Sequence, residues 1–377
     1  MVLAQALQIL CDLIRFPSIS STSNRDISQY VADCLTPCGM RMEVLSYNDP
    51  QGVRKVNVVA TRGTGVGAGL RAHTDVVPVE GWEYPQAGPF EPHQTADRLY
   101  GRGSCDMKGS LACFLAALLT TPLQRLRAPI TILCTADEEI GYHGAEYVAA
   151  HSEIYRDLRE QQPIVVIGEP TSLQVVHAHK GIYVFKVTSR GKAGHSSTEA
   201  GVNANLRMIP FLQEMARIYH ATRDAAEWRD DRFSPPGISW NIGINDFTQA
   251  ANITPERSVC TVSFRPMPGQ DAESLVNLAR DKAEELGLTF ELQHGARPGF
   301  VAPESPHIQE LLELTGKSSS RTVAYGTDAA MFEDLRKIVI CGPGDIAQAH
   351  TVDEWIALDQ MQRGIDVYRR MIERFCL

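Results

Sequence analysis

The chain has 377 residues, more than one hydrophobic core usually organises, so two domains are expected. Apolar residues make up 44% and charged residues 21%, the mix of a soluble globular protein. Its 36 Lys and Arg against 45 Asp and Glu give a net charge of −9, which argues against nucleic acid as a partner, and no apolar run is long enough to span a membrane.

Taken in chain order, Leu3, Leu7, Leu10 and Ile14 share one helical face, and Pro17 stops that helix. No basic segment precedes a hydrophobic stretch here, so no secretory signal is expected. A second helix fits Asp26–Leu35. Strand-like runs follow at Met42–Tyr47, Val56–Thr61, Leu70–Asp75, Ile130–Thr135 and Ile164–Ile167, the last two almost continuously apolar, as strands buried on both faces are. Helical stretches at Gly109–Thr120 and His143–His151 separate them, so this part reads as an α/β domain with a largely parallel central sheet.

The middle of the chain has a different order. Strand Ile182–Ser189, helix Val202–His220, strands Ile238–Ile244 and Val259–Arg265, helix Ala272–Leu286 and strand Leu288–Leu292 spell β-α-β-β-α-β, a ferredoxin-like α+β pattern. The α/β character then resumes with helix Pro306–Thr315, strand Lys337–Cys341 and a closing helix Leu358–Phe375. The first domain, residues 1–181 and 290–377, is therefore expected to be interrupted by an inserted one, residues 182–289. The nine cysteines are odd in number, scattered and without a Cys-x-x-Cys pair, which fits a reducing cytoplasm better than a disulfide framework.

Polar clusters sit where predicted strands end. His73-Thr74-Asp75, Asp137-Glu138-Glu139 and Glu169 each follow an apolar strand, and ligands of open α/β sheets bind beyond such carboxyl ends. A glycine-rich stretch, Gly101 to Gly109, would thrust Asp106 from a loop, and His350 lies just beyond strand Lys337–Cys341. Alone, a histidine after a strand more often packs or faces solvent, a Glu-Glu pair more often makes a solvated turn, and Glu169 before Pro170 is equally compatible with a helix start. Their co-occurrence points instead to one pocket with the imidazole-plus-carboxylate donor set of zinc or a similar divalent ion. Gly63 to Gly69 reads as a hairpin turn; it lies between two strands, so no helix N-terminus offers itself to a phosphate, which excludes a nucleotide-dependent enzyme. His177 and His179 share one strand face, either as a strand edge entering the inserted domain or as a substrate contact.

These motifs, in this order, resemble the M20 family of metallopeptidases and deacylases. The carriers are His73 to Pro78, Gly101 to Gly109, Glu138-Glu139, Gly168 to Thr171 and Gly191 to Ser196. Within that family Gly326 to Ala329, Gly342 to Gly344, Ala349-His350 and Asp353-Glu354 are more similar to the acetylornithine-deacetylase branch than to the succinyl-diaminopimelate-desuccinylase branch. One departure is Asn245-Asp246-Phe247, where a glycine pair is common ahead of the element seen here as Asn252 to Pro255.

The resemblance implies a zinc-peptidase-like catalytic domain interrupted by a lid and dimerisation domain, and a cytoplasmic homodimer acting on a small N-acyl amino acid. It implies two divalent ions, zinc with cobalt as the alternative. Asp106 would bridge them, His73 and Glu169 would complete one, and Glu139 and His350 the other. Asp75 would orient His73 through its second ring nitrogen. A cis peptide is expected after Asp106. Glu138 would be the general base and His195, from the partner's lid, an oxyanion donor. Arg265 would grip the substrate carboxylate, with Asn252 and Lys180 as further candidates. The expected reaction is hydrolysis of N-acetylornithine. The rivals are acetylcitrulline, succinyl-diaminopimelate or a dipeptide as substrate and, in a different class, an inactive relative serving as a binding subunit, against which the intact ligand set argues.

Overall fold

The computed structural model of the chain describes residues 1–248 and 250–377. They divide into two units: Met1–His177 with Val301–Arg321 and Met331–Leu377, and Ala178–Phe300 with Thr322–Ala330. The second is wider than the 182–289 stretch expected from the strand and helix order, and it takes in a separate excursion at 322–330.

The sheet of the first unit runs in the order Arg41–Asn48, Arg54–Arg62, Ile130–Thr135, Ala68–His73, Ile164–Ile167, Ile338–Ile340, and ends on Val176, which bridges to Ile340. Only the four strands from Ile130–Thr135 to Ile338–Ile340 are mutually parallel. Antiparallel strands flank them, so the sheet is mixed, with a parallel centre. Every residue of Ala68–His73, Ile130–Thr135 and Ile164–Ile167 is buried, as the continuous apolar runs require. Helix Lys108–Leu119 is buried from its first residue to Leu118 and packs against helices Val2–Ile14 and Leu358–Phe375.

The register decides where chemistry can sit. His73 is level with Thr135, and Arg71 with Ile167, which in turn is level with Ile340. The segments leaving these strands therefore emerge along one edge of the sheet.

Gly63 to Gly69 does not form a hairpin. Strand Ile130–Thr135 lies between Arg54–Arg62 and Ala68–His73 and bonds to both, so the loop passes over it instead. The glycines permit that crossing: Gly63 has φ +103, and a Cβ on Gly67 would collide with the Pro129 carbonyl. Two neighbouring strands in sequence imply a hairpin only if no later strand inserts between them.

The second unit carries a four-stranded antiparallel sheet in the order Ser239–Asn245, Arg257–Arg265, Ile182–Arg190, Thr289–Ala296. Helices Ala204–Asp224 and Ala272–Glu285 complete a ferredoxin-like arrangement. Alternate residues of Ile182–Arg190, among them Tyr183, Phe185 and Val187, join Phe211, Met215, Val262, Phe264 and Val276 in its core. No helix among the described residues is long and apolar enough to cross a membrane. All nine cysteines are free thiols.

Candidate metal centre

His73 is the last residue of its strand and is almost fully buried. Its Nδ1 faces the backbone carbonyl of Asp75 at 2.9 Å, while the Asp75 carboxylate stands 3.6 Å away. A carbonyl only accepts, so Nδ1 carries a hydrogen and Nε2 is left as the ligand atom, 3.2 Å from Asp106 Oδ1. Asp75 thus holds the ring chiefly through its main chain. Its carboxylate does something the sequence did not suggest: it accepts the backbone N–H of Glu138 at 3.1 Å and of Glu139 at 3.3 Å, besides the Ser20 hydroxyl at 2.8 Å.

Glu138 and Glu139 leave strand Ile130–Thr135 through a turn that is fixed from the other side as well. Asp137 adopts φ +58, in the left-handed region, and its carboxylate is buried between the Lys55 ammonium at 2.8 Å and the Tyr47 hydroxyl at 2.7 Å. Asn57 accepts the Ala136 N–H at 3.0 Å. Lys55 itself is 1% exposed and also donates to the Thr22 carbonyl at 3.0 Å. An unpaired charge there would be costly, and the paired one ties the turn to strand Arg54–Arg62.

Asp106 projects from the loop that precedes helix Lys108–Leu119, and the peptide bond to Met107 is cis, as the resemblance implied. Two glycines shape the loop: Gly101 at φ +150, where a Cβ would strike Ile14, and Gly103 at φ +81, where one would meet Val76 and Lys108. The two carboxylate oxygens of Asp106 face different histidines. Oδ1 looks to His73, and Oδ2 is 3.4 Å from His350 Nε2. His350, at φ +61 and half-exposed, also lies 3.0 Å from Glu139 Oε2. Ligand atoms of His73, Asp106 and Glu139 all lie within 4.8 Å of one another.

Glu169 follows Ile164–Ile167 by way of Gly168, where a Cβ would collide with Ser110 of the buried helix. Glu169 is 4% exposed, and its Oε1 has no hydrogen-bond partner among the described residues. A buried, unsatisfied carboxylate oxygen is expensive unless a cation or donor meets it.

The electrostatics match a site shaped for a cation. Burial pushes Glu138, Glu139 and Glu169 above the usual carboxylate range, and neighbouring carboxylates add to the rise. Burial works against a charged His73, but hydrogen bonds to Asp106 and Asp75 outweigh it and raise its pKa. His350 is raised to about 10 by its hydrogen bonds to Asp106 and Glu139. Asp106 is held below its ordinary value: burial opposes ionisation, but His350 and His73 more than offset it. Crowded carboxylates beside histidines, with an orphaned buried oxygen, fit divalent metal.

The other expected site residues lie in the second unit. His195 is exposed; its Nδ1 accepts the Ser197 N–H at 3.2 Å and meets the Ser197 hydroxyl at 2.7 Å, which leaves Nε2–H pointing outward as a donor. Asn252 is exposed, and its carbonyl accepts the Ser196 N–H. Arg265, half-buried at the end of its strand, pairs with no carboxylate among the described residues. Lys180 is wholly buried, and its ammonium donates to the carbonyls of Pro235 at 2.9 Å and Gly237 at 2.7 Å. Two of its three N–H donors are thereby committed to that loop. His179 is buried, with Nδ1 on the Lys180 carbonyl.

Sequence reasoning missed Lys55, Tyr47 and Arg71. Lys55 and Asn57 are polar at alternate positions in the buried part of strand Arg54–Arg62, which signals one face turned to a polar feature. Arg71, buried in strand Ala68–His73, donates to Thr135 Oγ1. A cation in the middle of a fully buried strand was the corresponding signal.

Residues 69–374 match the model of peptidase family M20/M25/M40. An acetylornithine deacetylase of Proteus mirabilis is 34% identical, with 98% of this chain and 97% of that protein covered. One of Myxococcus xanthus is 32% identical, covering 97% and 96%. Among solved structures, the dipeptidase Dug1p of Saccharomyces cerevisiae superposes with a TM-score of 0.77 at 14% identity, covering 98% of this chain and 96% of that one, a likeness of fold.

Proposed function

The chain belongs to peptidase family M20/M25/M40 and is an amide hydrolase, and from that premise we propose that it removes the acetyl group of N-acetylornithine, giving ornithine and acetate, as a step of arginine biosynthesis. The observation that carries the chemistry is the divided Asp106 carboxylate, one oxygen to His73 and the other to His350, beside the unsatisfied Glu169. His73, Asp106, Glu139, Glu169 and His350 are the residues that would hold divalent metal, and the facing of Asp106 toward both histidines supports its central place among them. Zinc suits the donor set, and cobalt would also be accepted.

When bound, a divalent metal supplies Lewis acidity, making water acidic near neutral pH and polarising the amide carbonyl. The chain supplies the rest. Glu138, raised by burial toward neutrality, takes the proton from water and delivers it to the departing amine. Asp75 sets the Glu138 position through the backbone. In this reading the partner subunit's His195 would offer its Nε2–H to the developing oxyanion, and Arg265 would offer an unpaired guanidinium to the substrate carboxylate, with Asn252 as a further candidate for that grip. Its internal carbonyl contacts speak for Lys180 as a support of that region.

A homodimer through the second unit is part of this reading. Strand Ser239–Asn245 is one of the two edges of its sheet, and Ile244, Phe247, Ile253, Leu206 and Ile209 are exposed apolar side chains of the same unit. The nine free thiols favour a cytoplasmic setting.

The test is turnover of N-acetylornithine beside N-acetylcitrulline, N-succinyl-diaminopimelate and a dipeptide, by zinc-loaded and chelated protein. Metal-dependent release of ornithine, fastest of the four, is expected. A faster rate on another substrate moves the enzyme within the family. No turnover of any, with metal bound, sinks the acetylornithine reading and points to an untested acylated amino acid or to a binding subunit.

A further inference from the structure

We propose that Glu354 is the positioning residue for Asp106, joining the loop that carries Asp106 to the segment that carries His350. The inference rests on the reading of Asp106 as a metal ligand.

Glu354 is 1% exposed. Its two oxygens accept four hydrogen bonds: Oε2 from Arg102 Nη1 at 2.9 Å and from the Gly103 N–H at 2.8 Å, and Oε1 from the Cys105 N–H at 2.8 Å and the Asp106 N–H at 3.0 Å. Its own carbonyl accepts the Gly101 N–H at 3.0 Å. Three of the four side-chain bonds therefore come from the main chain of one turn. A carboxylate that gathers successive N–H groups of a turn on one side fixes the direction in which the turn's side chains leave.

Asp106 is the residue whose direction matters, because each of its oxygens faces a different histidine. Glu354 stands only four residues after His350, so the same short segment presents a ligand and clamps the loop of the bridging ligand. Arg102 balances the buried charge, and its guanidinium also donates to the Pro78 carbonyl at 3.3 Å, whereas the Asp106 N–H is held by Glu354 Oε1. The geometry separates two jobs: Glu354 aims Asp106, and Arg102 makes the buried carboxylate tolerable.

The comparison is of wild type, Glu354→Gln and Arg102→Met, each stripped with a chelator and titrated with Zn2+ in competition with a chromophoric chelator. The Co2+ absorption spectrum and the kcat and KM for N-acetylornithine complete the set. Gln keeps one acceptor oxygen but turns an amide donor toward two N–H donors. It is expected to weaken metal binding 10- to 100-fold, shift the Co2+ bands and lower kcat by a similar factor, with KM changed less than about threefold. Arg102→Met is expected to lower the melting temperature at least as much, yet weaken metal binding less than about threefold. Equal losses of affinity in the two variants, following their melting temperatures, would make Glu354 a merely structural residue and overturn the proposal. If Glu354→Gln does not fold, Glu354→Asp answers the same question, since its shorter carboxylate cannot reach both pairs of donors. About tenfold weaker binding supports the proposal, and wild-type affinity with an unshifted Co2+ spectrum overturns it. Failure of the underlying reading is recognised separately, as wild-type protein that neither binds Zn2+ tightly nor hydrolyses the substrate.

Discussion

Replacing Asp75 by Asn tests whether one carboxylate can set two catalytic carboxylates through their main chain. Asp75 receives the N–H groups of Glu138 and Glu139 and the Ser20 hydroxyl, with His73 Nδ1 at 3.6 Å. Asn has the same shape, but only one of its two terminal atoms accepts. Whichever way the amide turns, one backbone N–H faces an NH2 group and loses its acceptor. A hydrogen bond to a charged group contributes about 1.5–3 kcal/mol. At about 1.4 kcal/mol per tenfold in rate, loss of one such bond from the placement of Glu138 lowers kcat by roughly 10- to 150-fold. KM should change little, because Asp75 is placed to touch no substrate. The assay is steady-state hydrolysis at saturating Zn2+, with metal content measured on the same sample. Ser20→Ala, which removes a partner of Asp75 but leaves the carboxylate in place, should lower kcat by less than about fivefold. A kcat within threefold of wild type for Asp75→Asn, at full metal occupancy, would refute the claim that Asp75 positions Glu138.

Glu138→Gln should lower kcat by about 10²- to 10⁴-fold while leaving Zn2+ content unchanged, as elemental analysis and rate measurement would report. Chelated protein should lose stability as pH rises from about 4.5 to about 8. Folded Glu138 and Glu139 bind protons there that the unfolded chain has released, and His350, raised to about 10, acts in the same sense above pH 6.5. Metal uptake should therefore release protons and flatten the profile; calorimetry in buffers of different ionisation enthalpy measures the release. Lys108 carries the opposite sign. Burial lowers its pKa to about 7, so between about 7 and 10.5 the unfolded chain binds the extra proton and stability rises with pH. Lys108→Met in metal-loaded protein should remove that rise, seen as a melting temperature that no longer climbs from pH 7 to 10. Ile244→Lys on the open edge strand should halve the mass measured by light scattering, and a dimer that persists would locate the interface elsewhere.

The elements that sequence placed well are those whose burial is uniform or strictly periodic. Ile130–Thr135 and Ile164–Ile167 are buried on both faces, and Leu358–Phe375 presents Met361, Ile365, Tyr368 and Ile372 at helical spacing. Strand adjacency was not legible, because nothing in Gly63 to Gly69 says that a strand some 60 residues later will enter beside it. The parallel share of the sheet was overstated for the same reason. In the candidate site, His73, Glu139 and His350 were legible as residue types beyond strand ends and Asp106 as one on a glycine-rich loop, and the fold brings them together. Their supports were not. Lys55, Tyr47 and Glu354 act on backbone atoms or on other supports, and such contacts leave no spacing rule in the chain. Asp75 was read for its neighbour in sequence, His73, whereas its carboxylate serves residues more than 60 positions away.

The parallel pairing of Ile164–Ile167 with Ile338–Ile340 sets an order of events during synthesis. About 170 residues separate the two strands, and the Gly103 to Asp106 turn waits still longer for Glu354. At roughly 5–20 residues per second, a ribosome leaves that apolar strand edge unmatched for about 10 to 35 seconds after it emerges. During that interval the sheet and helices of the second unit, contiguous from Ile182 to Ala296, can form, while the first holds four of its five candidate ligands on an unsealed half-sheet. The nascent chain is thus most open to misassociation, and to a chaperone, late in its manufacture, and its C-terminal segment acts as the closing stave of a barrel-maker's frame.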